Sequence, residues 1–227
     1  MNNNYALSQK NRKLLNFTDY SGLLIVVEGN DGAGKSTLIK HLTKFLKGEK
    51  RKTRVLRFNM SEITRQSIKM GKEKCYGPYV NTLLHLTSLV DQIERQALDA
   101  LKKGYIVIFD RYVYSIISRG IARGIKPEIL LPLCKFVIIP DIVIYLDIDP
   151  KIAVERVGIN NITFWESGSD MYCSDDKYKN FLLFQSKVRN EFLRYSNDWK
   201  FNLVNANISF RNLFYHVLSI LEKNIKI

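Results

Sequence analysis

The residues Gly29-Asn30-Asp31-Gly32-Ala33-Gly34-Lys35-Ser36 fit the spacing GxxxxGKS/T in full, and no other feature limits the fold and chemistry of this chain as sharply. A phosphate needs several backbone N–H groups converging on its oxygens, and glycines let the chain curl tightly enough to aim its amides inward. The flanks agree with that demand. Leu23 to Val27 is a wholly apolar run that reads as a buried strand, and Leu38, Ile39, Leu42, Phe45 and Leu46 recur at helical spacing until Gly48. At such a strand-to-helix turn the helix start adds the positive end of its dipole, the lysine reaches the β- and γ-phosphates, and the serine hydroxyl can ligate Mg²⁺. ATP and Mg²⁺ are therefore the expected cofactors. Gly29, Asn30, Asp31, Gly32, Ala33, Gly34, Lys35, Ser36 and Thr37 are the expected ATP-binding residues. A glycine-rich turn that happens to precede a helix is the competing reading.

Further along, Val55 to Phe58, Ile106 to Phe109, Ile142 to Leu146 and Phe201 to Val204 read as strands. Between them lie a crossover helix over Leu83 to Leu101, a helix carrying Tyr178, Phe181, Leu182, Val188 and Phe192, and a closing helix from Phe210 to Leu221. Strand and helix in rotation predict an α/β fold of three layers, with a mostly parallel five-stranded sheet covered by helices on both faces. The organisation expected is a flexible basic tail over residues 1–20, then one domain over residues 21–227.

Composition narrows the function classes. At 227 residues, with 46% hydrophobic and 25% charged, the chain is neither disordered nor collagen-like. Its net charge of +13 implies anionic partners, although a genome rich in Lys and Asn codons produces the same excess. Three widely spaced cysteines, Cys75, Cys134 and Cys173, argue against a disulfide framework or a zinc site and predict buried, reduced thiols in a cytoplasmic protein. No apolar run approaches the ~20 residues that span a bilayer.

Two further features bear on phosphate chemistry. The run Tyr105 to Phe109 ends at Asp110-Arg111-Tyr112, and a carboxylate at the carboxyl end of a buried strand beside a phosphate loop belongs with Mg²⁺. Ser36 and Asp110 are the expected metal ligands, against a turn or cap role for Asp110. Arg111 is read as an anion ligand. Asp147 and Asp149, flanking Pro150, read as turn and cap residues. His41, His85 and His216 read as packing or surface residues, and Lys47 to Arg54 as a solvated basic turn rather than a nucleic-acid surface. Nucleic acid and membrane are not expected partners.

The stretch Glu28 to Thr37 (EGNDGAGKST), Asp110-Arg111-Tyr112 followed by Ser115, and Pro140-Asp141 leading through Tyr145-Leu146-Asp147 to Asp149-Pro150 and Glu155-Arg156 resembles the thymidylate kinase family over about Leu23 to Tyr195. The resemblance implies a P-loop NTPase fold of the NMP-kinase type and a homodimer. It also implies transfer of the ATP γ-phosphate to a deoxynucleoside monophosphate, normally dTMP, and a lid at about residues 157–177. Carried over residue by residue, Lys35, Arg111 and Arg156 become the catalytic cations. Asp31 and Arg111 face the monophosphate.

The departures from the family pattern lie on the acceptor side. After the second strand, Arg-Glu-Pro-Gly-Gly or Phe-Pro-Arg is replaced by Arg57-Phe58-Asn59-Met60-Ser61-Glu62. Phe58 and Arg65 are the substrate-binding residues expected there, with Arg57 as the alternative cation. An Ala-Asp-Arg run becomes Val90-Asp91-Gln92, and Ala-Tyr-Gln becomes Ser118-Arg119-Gly120. The phosphate loop has Gly32 where some members carry arginine, and no arginine lies between Val157 and Asp176. Arg119 is the residue expected to restore positive charge. For the stretch around Phe164 to Asp170, a surface loop anchored by Trp165 competes with the lid. A deoxynucleoside kinase is the alternative function, although Asp110-Arg111-Tyr112 stands where that family has Glu-Arg-Ser. A non-catalytic nucleotide-binding module is the third.

Overall fold

In the computed structural model, which describes residues 20–224 apart from 134, 136 and 173, strand β1 (Leu23–Gly29) runs through the middle of a five-stranded sheet. Its neighbours give the order β2-β3-β1-β4-β5, with β2 at Thr53–Arg57, β3 at Ile106–Asp110, β4 at Ile142–Asp147 and β5 at Asn202–Asn205. Every pairing is parallel, with Leu23 opposite Ile106, Ile25 opposite Ile142, Thr53 opposite Ile106 and Ile144 opposite Asn202. The expected sheet was mostly parallel; the one found is wholly so.

Helices cover both faces, which is why the central strands read as unbroken apolar runs. Leu24 and Val26 point to one layer with Leu89, Ile93, Phe109, Tyr145 and Phe192, while Ile25 and Val27 point to the other with Leu38, Leu42, Ile144 and Val217. Each fully buried Leu, Ile or Val contributes about 2 kcal/mol relative to exposure. The strand order reverses at β1, whose neighbours β3 and β4 follow it in the chain, so the crevice beyond its carboxyl end is the natural ligand position.

The helices are α1 (Lys35–Gly48), α2 (Glu62–Glu73), α3 (Pro78–Gln92), α4 (Leu98–Lys102), α5 (Val113–Ala122), α6 (Pro127–Leu133), α7 (Pro150–Val157), α8 (Lys177–Tyr195) and α9 (Phe210–Asn224). The crossover expected over Leu83 to Leu101 begins earlier, with Pro78 in its first turn, and is wound as a π-turn at Ile93–Ala97 between α3 and α4. Helix α2 was not read from the sequence because its buried face amounts to Thr64, Ile68 and Gly71, too little for a periodic signal. Strands β1, β3 and β4 run past their apolar stretches to Gly29, Asp110 and Asp147, since backbone pairing continues whatever the side chain. On the edges β2 and β5 are displaced from the expected limits by one or two residues.

Two expectations about particular residues change. Cys75 is exposed rather than buried, in a left-handed turn at φ 50° after α2; Cys134 and Cys173 lie outside the described residues, as does the tail apart from Tyr20. Tyr178, expected on the inner face of α8, is 44% exposed. Among the described residues no helix is long and apolar enough to cross a membrane.

Candidate active site

The phosphate loop joins β1 to α1 through three glycines with positive φ, Gly29 at 146°, Gly32 at 84° and Gly34 at 90°. A Cβ at Gly29 would lie 2.8 Å from the Leu146 carbonyl oxygen, and one at Gly32 2.7 Å from that of Ala153, so both positions need close backbone approach as well as the conformation. At Gly34 nothing lies within 4 Å, and the demand is conformational alone. Helix α1 starts at Lys35 with Gly34 as its cap, leaving its first amides without intrahelical partners.

Lys35 is 8% exposed, and its Nζ donates to the carbonyls of Gly29 at 3.0 Å and Asn30 at 2.7 Å. Burial, then the neighbouring Arg111 charge, pull its pKa down to about 7, with Asp31 and Asp110 opposing in part. Ser36 Oγ donates to Asp110 Oδ2 at 3.2 Å. One hydroxyl and one carboxylate side by side suit Mg²⁺, which binds proteins through one or two oxygen ligands and completes its octahedron with phosphates and water. The same cleft is lined by Asp31, Gly32, Gly34, Lys35, Thr37 and Arg111, with Asn161 and Glu166 facing them.

Phosphates around Lys35 stabilise its ammonium form, so the complex holds a proton that the free protein loses above pH 7. ATP binding at pH 8 is therefore expected to take up a proton, and affinity to fall as pH rises, by up to about tenfold per unit. Titration calorimetry in buffers of different ionisation enthalpy measures this directly; proton-neutral binding at pH 8 would contradict it.

Within the loop, Asp31 gathers three donors. Its Oδ1 pairs with Arg111 Nη2; its Oδ2 accepts from Arg119 Nη2 at 2.5 Å and from Gln185 Nε2 at 2.9 Å. Burial opposes the carboxylate charge, but Arg119, Arg111 and Lys35 outweigh it and hold the group well below the usual carboxylate range. Arg111 also donates through Nη1 to the Gly29 carbonyl at 2.8 Å and to Ser115 Oγ at 3.2 Å. Its backbone sits at φ 71°, a conformation costly for a residue with a side chain and retained where surroundings enforce it. Part of that enforcement is Glu28, wholly buried, which accepts from the amides of Tyr112 at 2.8 Å and Ser115 at 3.0 Å and from Ser115 Oγ at 2.6 Å. Burial raises the pKa of Glu28, while the Arg111 charge and these donors counter it.

A second cleft opens on the other side of Asp31 and Arg111. Its lining includes Phe58, Lys72, His85, Ser115, Arg119, Arg123, Trp165 and Glu166. Phe58 lies against His85 with ring centroids 5.0 Å apart. Burial, then the charges of Lys72, Arg119 and Arg123, lower the His85 pKa to about 3, which keeps the imidazole neutral. Read from the sequence as a packing or surface residue, His85 packs on Phe58 and also forms part of a cleft wall.

The expected site residues divide accordingly. Gly32, Gly34, Lys35, Ser36, Thr37, Asp31, Asp110 and Arg111 meet in the first cleft, while Phe58 and Arg119 join Asp31 and Arg111 in the second. Asn30 is buried, its Nδ2 donating to the Gln185 carbonyl at 2.7 Å, and Ala33 is packed in the core. Arg65 is exposed on α2, and Arg156 is exposed in the last turn of α7; neither lines these clefts. Arg57 stands opposite Asp110 in the β2–β3 register and shares a groove with Ser36, Asp110 and the buried Gln92, so of the two alternatives it is Arg57 that lies near the loop. Asp149 caps α7 by accepting from the Lys151 amide at 2.8 Å, as read from the sequence, whereas Asp147 is neither turn nor cap: it ends β4 and holds Arg189 with bonds of 2.6 and 2.8 Å.

The thymidylate kinase family model matches residues 27–215, which include both clefts. The chain belongs to the thymidylate kinase family. It is 34% identical over 170 residues to a probable thymidylate kinase 2 of Saccharolobus solfataricus, covering 74% of this chain and 79% of that protein. Against the thymidylate kinase of Thermosipho africanus it is 31% identical over 211 residues, 90% of this chain and all of the relative. With that of Bacillus mycoides identity is 26% over 216 residues, 90% and 99% of the two chains. Membership makes this chain an ATP-dependent phosphotransferase of the nucleoside monophosphate kinase class, so the deoxynucleoside kinase and non-catalytic readings are not favoured.

Four residues at the site of this thymidylate kinase family member are absent from the expected site residues. Arg123 pairs with Asp170 through bonds of 2.8 and 3.2 Å, donates to the Trp165 carbonyl at 3.0 Å and lies 4.2 Å from the Phe184 ring centroid. Trp165 in turn donates its indole N–H to the Lys72 carbonyl at 3.2 Å. The stretch after α7 is thereby fastened to α2 and to the end of α5, and Trp165, which anchors it, also lines the second cleft. Gln185, Lys72 and His85 complete the set. For Gln185 and His85 the sole signal in the sequence is a polar residue among apolar helix positions, which many surface residues share; Lys72 on the weakly apolar α2 and Arg123 just past α5 carry no signal.

Proposed function

We propose that the protein transfers the γ-phosphate of ATP to dTMP, giving dTDP and ADP, as a Mg²⁺-dependent cytoplasmic homodimer. The observation that carries this reading is that Asp31, Arg111 and Glu166 line both clefts, so a triphosphate on the loop and a monophosphate in the second cleft meet at one guanidinium. An acceptor phosphate oxygen attacks the γ-phosphorus, the bond to the ADP oxygen breaks, and no protein nucleophile is required. Lys35 and Arg111 neutralise charge on the equatorial oxygens. Ser36 and Asp110 would hold Mg²⁺, which supplies further neutralisation of the β- and γ-phosphates. Arg119 adds positive charge on the acceptor side, and Phe58 and the neutral His85 offer two ring faces, tilted 30° to one another, against which the base can pack. Arg65 and Arg156, which line neither cleft, have no part in this account. The segment 158–176 is assigned the role of lid, a wall common to both clefts that keeps water from the γ-phosphate. For the homodimer, the support is Ile63 on α2 with Tyr79, Val80 and Leu83 on α3, each about half exposed, a surface that a second copy would cover.

A coupled assay of ADP release against a panel of nucleosides and monophosphates tests the reading. Turnover with dTMP and stoichiometric dTDP is expected. ATP binding without turnover on any monophosphate would refute it.

A further inference from the structure

We propose that Gln185 is a positioning residue that ties the aim of Asp31 to the seating of the 158–176 segment, and so sets how tightly the acceptor phosphate is held. Gln185 lies on α8, outside the phosphate loop and the Asp-Arg-Tyr run, and is wholly buried. Its two N–H groups are divided between the two partners, Nε2 donating to Asp31 Oδ2 at 2.9 Å and to the Glu166 carbonyl at 2.7 Å. Its own main-chain carbonyl accepts from Asn30 Nδ2 at 2.7 Å, so a single residue touches the loop twice and the segment once.

The preceding residue serves the same junction. Phe184 carries the Arg123 and Arg119 guanidinium groups over its ring, and a Cβ at Gly168 would lie 2.5 Å from Phe184 Cβ. The segment therefore seats on two consecutive residues of α8, one by packing and one by hydrogen bonding. Gln185 Oε1 has no partner among the described residues. A buried amide kept for packing alone would be replaced by an apolar side chain, because an unpaired polar atom is costly; here the cost is retained for the two donors. The orientation is not reversible, since turning the amide would set its oxygen against the Asp31 carboxylate.

When a monophosphate draws Arg111 and Arg119 toward its own oxygens, Asp31 keeps the Gln185 bond and stays in place. Without that donor the carboxylate follows the arginines, and Glu166 loses its tether at the γ-phosphate side.

The inference rests on the kinase reading, and steady-state kinetics of full-length Gln185→Met and Gln185→Glu separate the two. Methionine preserves the volume and the main-chain contact to Asn30. For Gln185→Met the expected result is a KM for dTMP raised about tenfold, from loss of a hydrogen bond to a charged group, with the KM for ATP within about twofold. ATP hydrolysis in the absence of dTMP should rise as a fraction of transfer. Gln185→Glu, which sets a second carboxylate against Asp31, should be worse in both respects. In an Asp31→Asn background the effect of Gln185→Met on KM should shrink, because the charged acceptor is gone. Unchanged KM for dTMP and unchanged hydrolysis in Gln185→Met would overturn the role, as would a lowered kcat and Tm with both KM values intact. Absence of transfer in the unmodified protein would instead overturn the kinase reading.

Discussion

Lys35→Ala is expected to lower the maximal rate of phosphoryl transfer by about a thousandfold, the cost of removing a fixed cation from the charge that develops on a transferring phosphoryl group. The fold should survive. Lys35 is buried at the start of α1, behind a loop whose shape is held by Gly29, Gly32 and Gly34, and its Nζ contacts the backbone carbonyls of Gly29 and Asn30. Alanine also suits the first position of α1. ADP release at saturating ATP and dTMP measures the rate, and thermal unfolding reports the fold. A variant with nearly unaltered kcat would remove Lys35 from the chemistry.

Arg111→Ala is expected to raise the KM for dTMP about a hundredfold while that for ATP changes by less than about threefold, because a guanidinium loses two charge-assisted bonds to a phosphate at once. Arg111→Lys should recover little, since an ammonium cannot reproduce the planar fork. Here too the remaining structure supports a folded variant. Asp31 keeps Arg119 and Gln185, and Glu28 keeps the amides of Tyr112 and Ser115 with Ser115 Oγ. Calorimetry with each nucleotide separately would contradict the assignment if both affinities fell together. The two variants act on different substrates because Lys35 faces the loop side alone, whereas Arg111 stands where the clefts join.

The phosphate loop was legible in the sequence because it is local. Gly29 to Thr37 lie on one turn between one strand and one helix, and the positive φ at Gly32 and Gly34 is a property the residues carry with them. Apolar runs long enough for a strand and periodic enough for a helix likewise located β1, β3, β4, α1, α8 and α9. Helix α2 and the π-turn at Ile93–Ala97 left no such trace, since one buries too few apolar positions and the other preserves helical spacing on both sides.

The second cleft, proposed for the acceptor, was decided by tertiary structure. Asp31 and Gln185 are 154 positions apart, Arg123 and Asp170 are 47 apart, and Trp165 reaches the Lys72 carbonyl across 93. Spacing along a chain says nothing about such pairs until a sheet order brings α2, α5 and α8 around the end of β1. Arg65 and Arg119 show the difference: both are arginines near family motifs, yet one faces solvent and the other binds Asp31. The amino-acid order thus determined the fold class and the phosphate loop, whose chemistry is carried by neighbouring residues. The packing of distant helices determined which side chains line the second cleft, because charge and hydrogen bonding act through space and not along the backbone.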